Sequence, residues 1–362
     1  ALVAQTYNYL TSGTLLQTSF TTLSASASTA STVETDATYG YTQNIAYATY
    51  QTTPVPASTA NSVGVHNIII KDGGATTDAD LLPTMLTAIS YTYTGTSNTI
   101  RAAALFTTTG SKVADGTIGS NSISFSGLTG ANVTASDGGT VQLILRVTFN
   151  TAVTDNDKLV FTVSSVSGGN ACNYSQFASS NGGGAQSDNN SGNDKNRIEV
   201  TADRLAFNPQ PLGGSVNTNM PEFIVRAVDV NGNTDLDASK TITLSTSGTG
   251  MTSSSSYTIT SGVVSITDVQ YNSVQTNITI TANTTGYTVN SITSNPFNID
   301  DVPLGTYRTL SGGTWPSGTA TWERFTSSGW TNATPAANTT SLMIIKHSIT
   351  SSASFAALSP YT

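Results

Sequence analysis

The dominant pattern along the chain has a period of two. In "VQLILRVTF", Val141, Leu143, Leu145, Val147 and Phe149 share one side of an extended chain, and Gln142, Arg146 and Thr148 share the other. Such alternation predicts a strand with one face in a core and one in water. It recurs in Leu159, Phe161 and Val163; in Phe223, Val225 and Ala227; in Ile242 and Leu244; in Val264 and Ile266; and in Ile278 and Ile280. Clusters of Gly, Asn, Asp and Ser separate these runs at short intervals, the spacing of antiparallel sandwiches. One stretch departs from the pattern. In "DADLLPTMLTAI", Leu81 to Ile89 reads as a short helical turn ahead of the strand "SYTYT", with Pro83 keeping any helix short.

The expected fold class is therefore all-β: tandem antiparallel β-sandwich domains of immunoglobulin-like size, followed by an incomplete β-rich, solenoid-like unit. At 362 residues the chain exceeds what one core comfortably serves. The densest run of Gly, Ser and Asn, "SGGNACNYSQFASSNGGGAQSDNNSGNDKNR", marks a long loop or linker over residues 168–197. A first sandwich is expected over residues 6–167 and a second over 198–302, the latter close to the roughly 100 residues of an immunoglobulin domain. Residues 303–362 make a unit small enough to bury only about 60% of its surface. They read as the start of a further β domain, or as a unit that completes its fold against a neighbouring chain. Residues 1–5, "ALVAQ", have either the small-residue character of a trimmed export signal or begin a strand with Leu2 and Val3.

Composition changes the picture in one respect. Charged residues are 9% of the chain, against roughly 25% in an average domain, while 37% are hydrophobic. Thr, Ser, Asn and Gly must then cover the surface, and Thr, stiff at χ1, favours strands. The net charge is −8 and the 13 Lys and Arg residues are scattered singly, so nucleic acid and anionic membrane are poor partners. No run approaches the roughly 18 apolar residues of a membrane span, and membrane insertion is not expected.

The richest set of side-chain oxygens is "DVNGNTDLD": Asp229, Asn231, Asn233, Asp235 and Asp237. Five oxygen-bearing side chains at alternate positions suit calcium, which takes six to eight oxygens. However, Gly232 stands fourth and not sixth as in an EF-hand, and no glutamate closes the loop. "PEFIVRAV" and "TITLST" on either side alternate as strands, and "NGN" is a strong turn signal. The turn reading is preferred, with calcium kept as a candidate ligand of these five residues. Two further acidic turns, with Asp155 and Asp157 in "TDNDK" and Asp72, Asp78 and Asp80 in "DGGATTDAD", would repel at a shared sandwich end unless a cation lay between them.

Catalysis finds little support. His66 and His347 sit in alternating apolar contexts beside no nucleophile or metal-ligand pattern, and read as strand residues. GxSxG, HExxH, P-loop and zinc-cysteine motifs are all absent from the sequence. Trp315, Trp322 and Trp330 are either the core of a small β unit, the preferred reading, or an exposed platform for sugar rings. Cys172 is the single cysteine, which excludes an intramolecular disulfide. Sequons such as those at Asn132, Asn277 and Asn332 are expected by chance in so Ser- and Thr-rich a chain.

"IIIKDGGATTDADLLPTMLTAISYT", "NTIRAAALF", "ISFSGL", "DGGTVQLILRVTFN", "TDNDKLVFTVSSV" and "SQFA", spread over residues 66–177, resemble a module of large bacterial surface and secreted proteins exported by the type IX secretion system. "RIEVTADRLAFNPQP" and "FIVRAVDVNGNTDLDASKTITLSTSG" resemble the immunoglobulin-like domains of bacterial adhesins, in which a D-x-x-G-N turn joins two strands. Where many such repeats continue with Pro and Val, this chain has Thr234 and Asp235. The tail from "GTWPSGTATWERF" onward is similar to the entry of β-solenoid-like regions in the same exported proteins, which implies structural tryptophans.

The resemblance implies a secreted or cell-surface, extracellular location. The expected function is a non-catalytic structural or adhesive component of a bacterial surface appendage or filament. It would self-associate through β-domain contacts, with cell-surface glycans or other cells as further partners. The rival is a carbohydrate-binding accessory region of a larger secreted polysaccharide-degrading enzyme.

Overall fold

A computed structural model describes residues 7–11, 14–18, 29–51, 56, 58–74, 80–178, 195–316, 320–326, 329–335 and 341–351. The chain is almost entirely β. Helical structure among the described residues is limited to two 3-10 turns, Tyr47–Tyr50 and Ala131–Val133. Two compact units result, Ala1–Val200 and Thr201–Thr362.

In the first unit, the strand Thr140–Phe149 lies between Val63–Lys71 and Ile100–Thr107, antiparallel to both, with Thr32–Thr35 and Lys112–Asp115 at the two edges of the sheet. The second sheet is built on Thr84–Tyr93, which pairs with Phe161–Gly168, Ser122–Phe125 and Thr134–Ala135. The period-two pattern explains how they close on each other. Leu143, Leu145, Val147 and Phe149 all point inward and are fully buried, packing in one core with Ile68, Ile70, Ile89, Tyr91, Phe125 and Phe161. Arg146, on the opposite parity, turns outward to the Ser62 hydroxyl at 3.0 Å and stacks over Phe106. Truncating a residue such as Leu145 to alanine is expected to cost about 2–5 kcal/mol, because the site cannot collapse around the void. Gly64 is required where it stands, since a Cβ there would overlap the Tyr39 hydroxyl.

One expected element is corrected. Residues 81–89 hold no helical turn: the strand starts at Thr84 and runs unbroken to Tyr93. Leu81 is instead an exposed residue at φ 60° in the loop before it. Pro83 ends the loop, and the alternation that follows, with Leu86, Ile89, Tyr91 and Tyr93 buried, belongs to a strand. Residues 195–200 return to the first unit: Ile198–Glu199 pairs in parallel with Ile45–Ala46, and Ile198 and Val200 are buried in its core. Residues 179–194 of the long Gly/Ser/Asn-rich loop, and residues 1–5, lie outside the described residues.

The second unit begins with three small antiparallel sheets around one core. Phe223–Val228 lies between Arg204–Phe207 and Val263–Ile266. Lys240–Thr246 lies between Tyr257–Ile259 and Ile280–Asn283, and Phe297–Asp300 pairs with Gln275–Ile278. Phe223, Val225, Ile242, Ile266, Ile280 and Phe297 meet inside.

The pairing then changes character. Tyr307–Ser311 is antiparallel to Thr321–Thr326 on one side but parallel to Met343–Ile344 on the other. Gly313–Trp315 is likewise parallel to Ile349–Ser351. Both parallel pairings join residues 36 apart, Tyr307 with Met343 and Gly313 with Ile349. A constant offset in two successive strands means that the chain has made one full coil and stacked on itself. The core of this part is small: Trp315, Ala320, Trp322 and Met343, with Tyr307 and Ile349 packed against them.

Candidate functional site

The turn that follows Val228 is organised by one carboxylate. Oδ1 of Asp229, a buried residue, accepts the backbone N–H groups of Asn231 and Asn233, each at 2.9 Å, and Oδ2 accepts the Asn233 side-chain amide at 3.2 Å. Backbone bonds from Asp229 N–H to the Asn233 carbonyl and from Gly232 N–H to the Asp229 carbonyl complete the loop. Gly232 sits at φ 86°, a conformation that costs glycine nothing. Asp235 does a second job. Its Oδ2 accepts the Ala202 N–H at 2.9 Å and its Oδ1 the Asp237 N–H at 3.0 Å. The five sequence-predicted residues thus divide into two groups, Asp229 with Asn231 and Asn233, and Asp235 with Asp237. Each group is centred on a carboxylate that receives protein N–H bonds.

The other acidic turns repeat this chemistry. Asp155 accepts the Val200 N–H at 2.7 Å, and Asp157 accepts the Thr96 N–H at 2.6 Å. Asp72, buried, accepts the Thr84 hydroxyl at 2.5 Å and the Gly138 N–H at 2.8 Å. Asp80, also buried, accepts the Leu82 N–H at 2.8 Å and the Ser175 hydroxyl at 2.7 Å. Asp78 lies outside the described residues. Sequence reasoning missed two members of the set. Asp36 accepts the Thr38 N–H and the Asn67 amide, and Asp268 accepts the Ser254 N–H and the Tyr257 hydroxyl. The available signal was an Asp followed two residues on by Thr or Ser, the spacing of an Asx turn. Each bond to a charged acceptor is worth about 1.5–3 kcal/mol. Among the described residues no three His, Cys, Asp or Glu side chains converge to hold a metal ion.

Both histidines are in structural surroundings. His66 is fully buried between the sheets of the first unit. Its Nε2 hydrogen-bonds the Thr35 hydroxyl at 3.0 Å, its ring meets Tyr91 edge-on at 5.7 Å, and its Nδ1 has no hydrogen-bond partner. Burial pulls its pKa down from 6.5 to about 3, so it is neutral at ordinary pH. Burial likewise raises the Tyr91 phenol far above its usual range. His347 Nδ1 bonds the Thr309 hydroxyl at 3.0 Å, tying one turn of the coil to the next.

The tryptophans are core. Trp315 and Trp322 are each 2% exposed with ring centroids 6.2 Å apart, and the Trp315 indole donates to the Pro335 carbonyl at 2.9 Å. Trp330 is half-buried: the Arg308 guanidinium lies 4.0 Å from its ring centroid, and its indole donates to Asp300 at 3.0 Å. No ring face of Trp315 or Trp322 is left for a sugar to stack on. Cys172 is exposed. A shallow cleft of about 520 Å³ opens between loops 96–98 and 150–154 of the first unit, lined mainly by Thr, Ser and Asn side chains.

No protein-family model matches the chain, and no curated protein matches it. Among solved structures it is similar to a biofilm associated protein, BSP domain, at 14% identity and a TM-score of 0.23. The match covers 80% of this chain and 54% of that one, so the chain spans about half the length of that structure. No helix among the described residues is long and apolar enough to cross a membrane.

Proposed function

We propose that this chain is a structural or adhesive component of the bacterial cell surface, exported by the type IX route, which works through its β domains and associates with copies of itself. The observation that carries the reading is how its aspartates are used. In a chain with few ionisable side chains, Asp36, Asp72, Asp80, Asp155, Asp229 and Asp235 bind backbone N–H groups in turns and loops. Several of these bonds clip segments distant in sequence: Asp155 to Val200, Asp72 to Gly138 and Asp235 to Ala202. They act where small domains elsewhere use disulfides, which a chain with one cysteine cannot form internally. Charge is thus directed to holding sheets together, the requirement of a load-carrying material. The two ten-residue strands Thr84–Tyr93 and Thr140–Phe149 supply the longest hydrogen-bonded ladders for that role.

Self-association accounts for a surface coated in hydroxyl and amide groups and nearly free of repelling charge, since sheet edges without charged side chains accept other strands. Sedimentation velocity across a hundredfold range of concentration tests this. A shift to larger species with concentration is expected, and an invariant monomer boundary would refute it.

A further inference from the structure

The last part of the second unit is a coil with one closed end and one open end. At the closed end, Tyr307–Ser311 has its outer edge covered by Thr321–Thr326, which pairs in turn with Gly329–Asn332. Beside it, the Thr314 carbonyl in Gly313–Trp315 accepts the Ala320 N–H at 3.2 Å. This end is therefore capped. At the other end, Met343–Ile344 and Ile349–Ser351 are the terminal strands of their sheets among the described residues. Ile345 between them is 42% exposed.

The interface already formed shows what this open edge recognises. Met343 stacks on Tyr307 and Ile349 on Gly313, both at the 36-residue offset. Thr309 is bonded from the next turn by the Lys346 N–H at 2.9 Å and by His347 at 3.0 Å. Met343–Ile344 and Ile349–Ser351 offer to their outer side the same kind of edge that Tyr307–Ser311 and Gly313–Trp315 offer to them. The energetics point the same way. A single coil with six core residues cannot bury its apolar face alone, and stacked repeats normally need about three or more to be stable.

We infer that this edge docks a further parallel β coil: polypeptide arriving in the same direction as Met343–Ser351, with one apolar side chain over Met343, a second over Ile349, and small or hydroxyl residues between. Continuity with the existing interface selects this occupant. A second copy meeting edge to edge about a two-fold axis would run antiparallel and would bring only two very short strands together, too little for a stable contact. The inference goes beyond self-association and does not depend on it.

The test uses the full chain and, as probe, a synthetic peptide with the sequence of residues 343–351, MIIKHSITS, which carries apolar side chains at both required positions. Amide hydrogen exchange is followed across residues 343–351 and, as control, across 307–315. At a peptide concentration about twice its Kd, exchange at the open edge should slow by about threefold, the factor 1 + [L]/Kd. The capped edge should not respond, nor should either edge respond to the same composition scrambled around a central proline. No slowing at any peptide concentration would overturn the inference. So would open-edge amides already protected in the protein alone, which means the chain covers its own edge, or protection that follows protein concentration without peptide, which assigns the edge to a second copy.

Discussion

Acidification should loosen the first unit through His66. The ring is buried, its partners are the Thr35 hydroxyl and the edge of Tyr91, and its register neighbour across the sheet is Leu145. Asp36, next to Thr35, is bonded to Thr38 and Asn67. Tyr91 and Tyr41, the other titratable groups nearby, are neutral below their high pKa values. Nothing in this set compensates an imidazolium. With the folded pKa near 3 and the unfolded value 6.5, the unfolded chain binds the extra proton between those limits. Stability is therefore complete above pH 6.5 and is lost as pH falls towards 3. At 1.36 kcal/mol per pH unit the loss is about 2 kcal/mol at pH 5 and about 4 kcal/mol at pH 3. Below about pH 4 the fastening aspartates begin to protonate as well, so the window from pH 6.5 to 4.5 belongs to His66. Hydrogen exchange resolved over Val63–Lys71 and Thr140–Phe149 measures the first unit separately from the second. Their opening free energy should fall by about 2 kcal/mol between pH 7 and pH 5, after correction for intrinsic exchange, and His66→Phe should flatten that slope. A flat profile in the unmodified protein, or an unchanged slope in the variant, would refute the reasoning.

Asp229→Ala strips two backbone N–H groups of their acceptor and should destabilise the second unit by about 2–4 kcal/mol in urea denaturation, with Asp229→Asn costing less. Calcium titration of the same transition separates the two readings of that turn: carboxylates held by N–H bonds predict a midpoint indifferent to chelator, whereas a cation shell predicts a fall. Tryptophan emission should be blue-shifted and largely shielded from acrylamide, since Trp315 and Trp322 are buried, and Trp322→Ala should cost about 3–5 kcal/mol in the stability of residues 303–351. Cys172 should react with a thiol reagent without denaturant, being exposed.

The strands were legible because their signal is local. Leu143, Leu145 and Val147 announce a buried face whatever they pack against, and "NGN" announces its turn. The helical turn expected at Leu81–Ile89 failed for an equally local cause, because two adjacent leucines before a proline resemble helix until the alternation after Thr84 is given priority. The acidic turns were found but their role was not. Whether Asp155 faces a cation or the Val200 N–H depends on a contact between residues 45 positions apart. Asp36 carries no sequence signal of its partnership with Asn67 on another strand. The 36-residue stacking was invisible for a different reason: Tyr307 and Met343, or Gly313 and Ile349, are not alike, and the repeat is one of backbone register, not of residue type.

The central claim is that this chain is a mechanical β material whose charge fastens its loops and whose edges make its contacts. Electron microscopy of the purified protein at high concentration tests it most directly. The account predicts fibres or closed oligomers built from β units in series; a field of separate, single-chain particles at every concentration would contradict it.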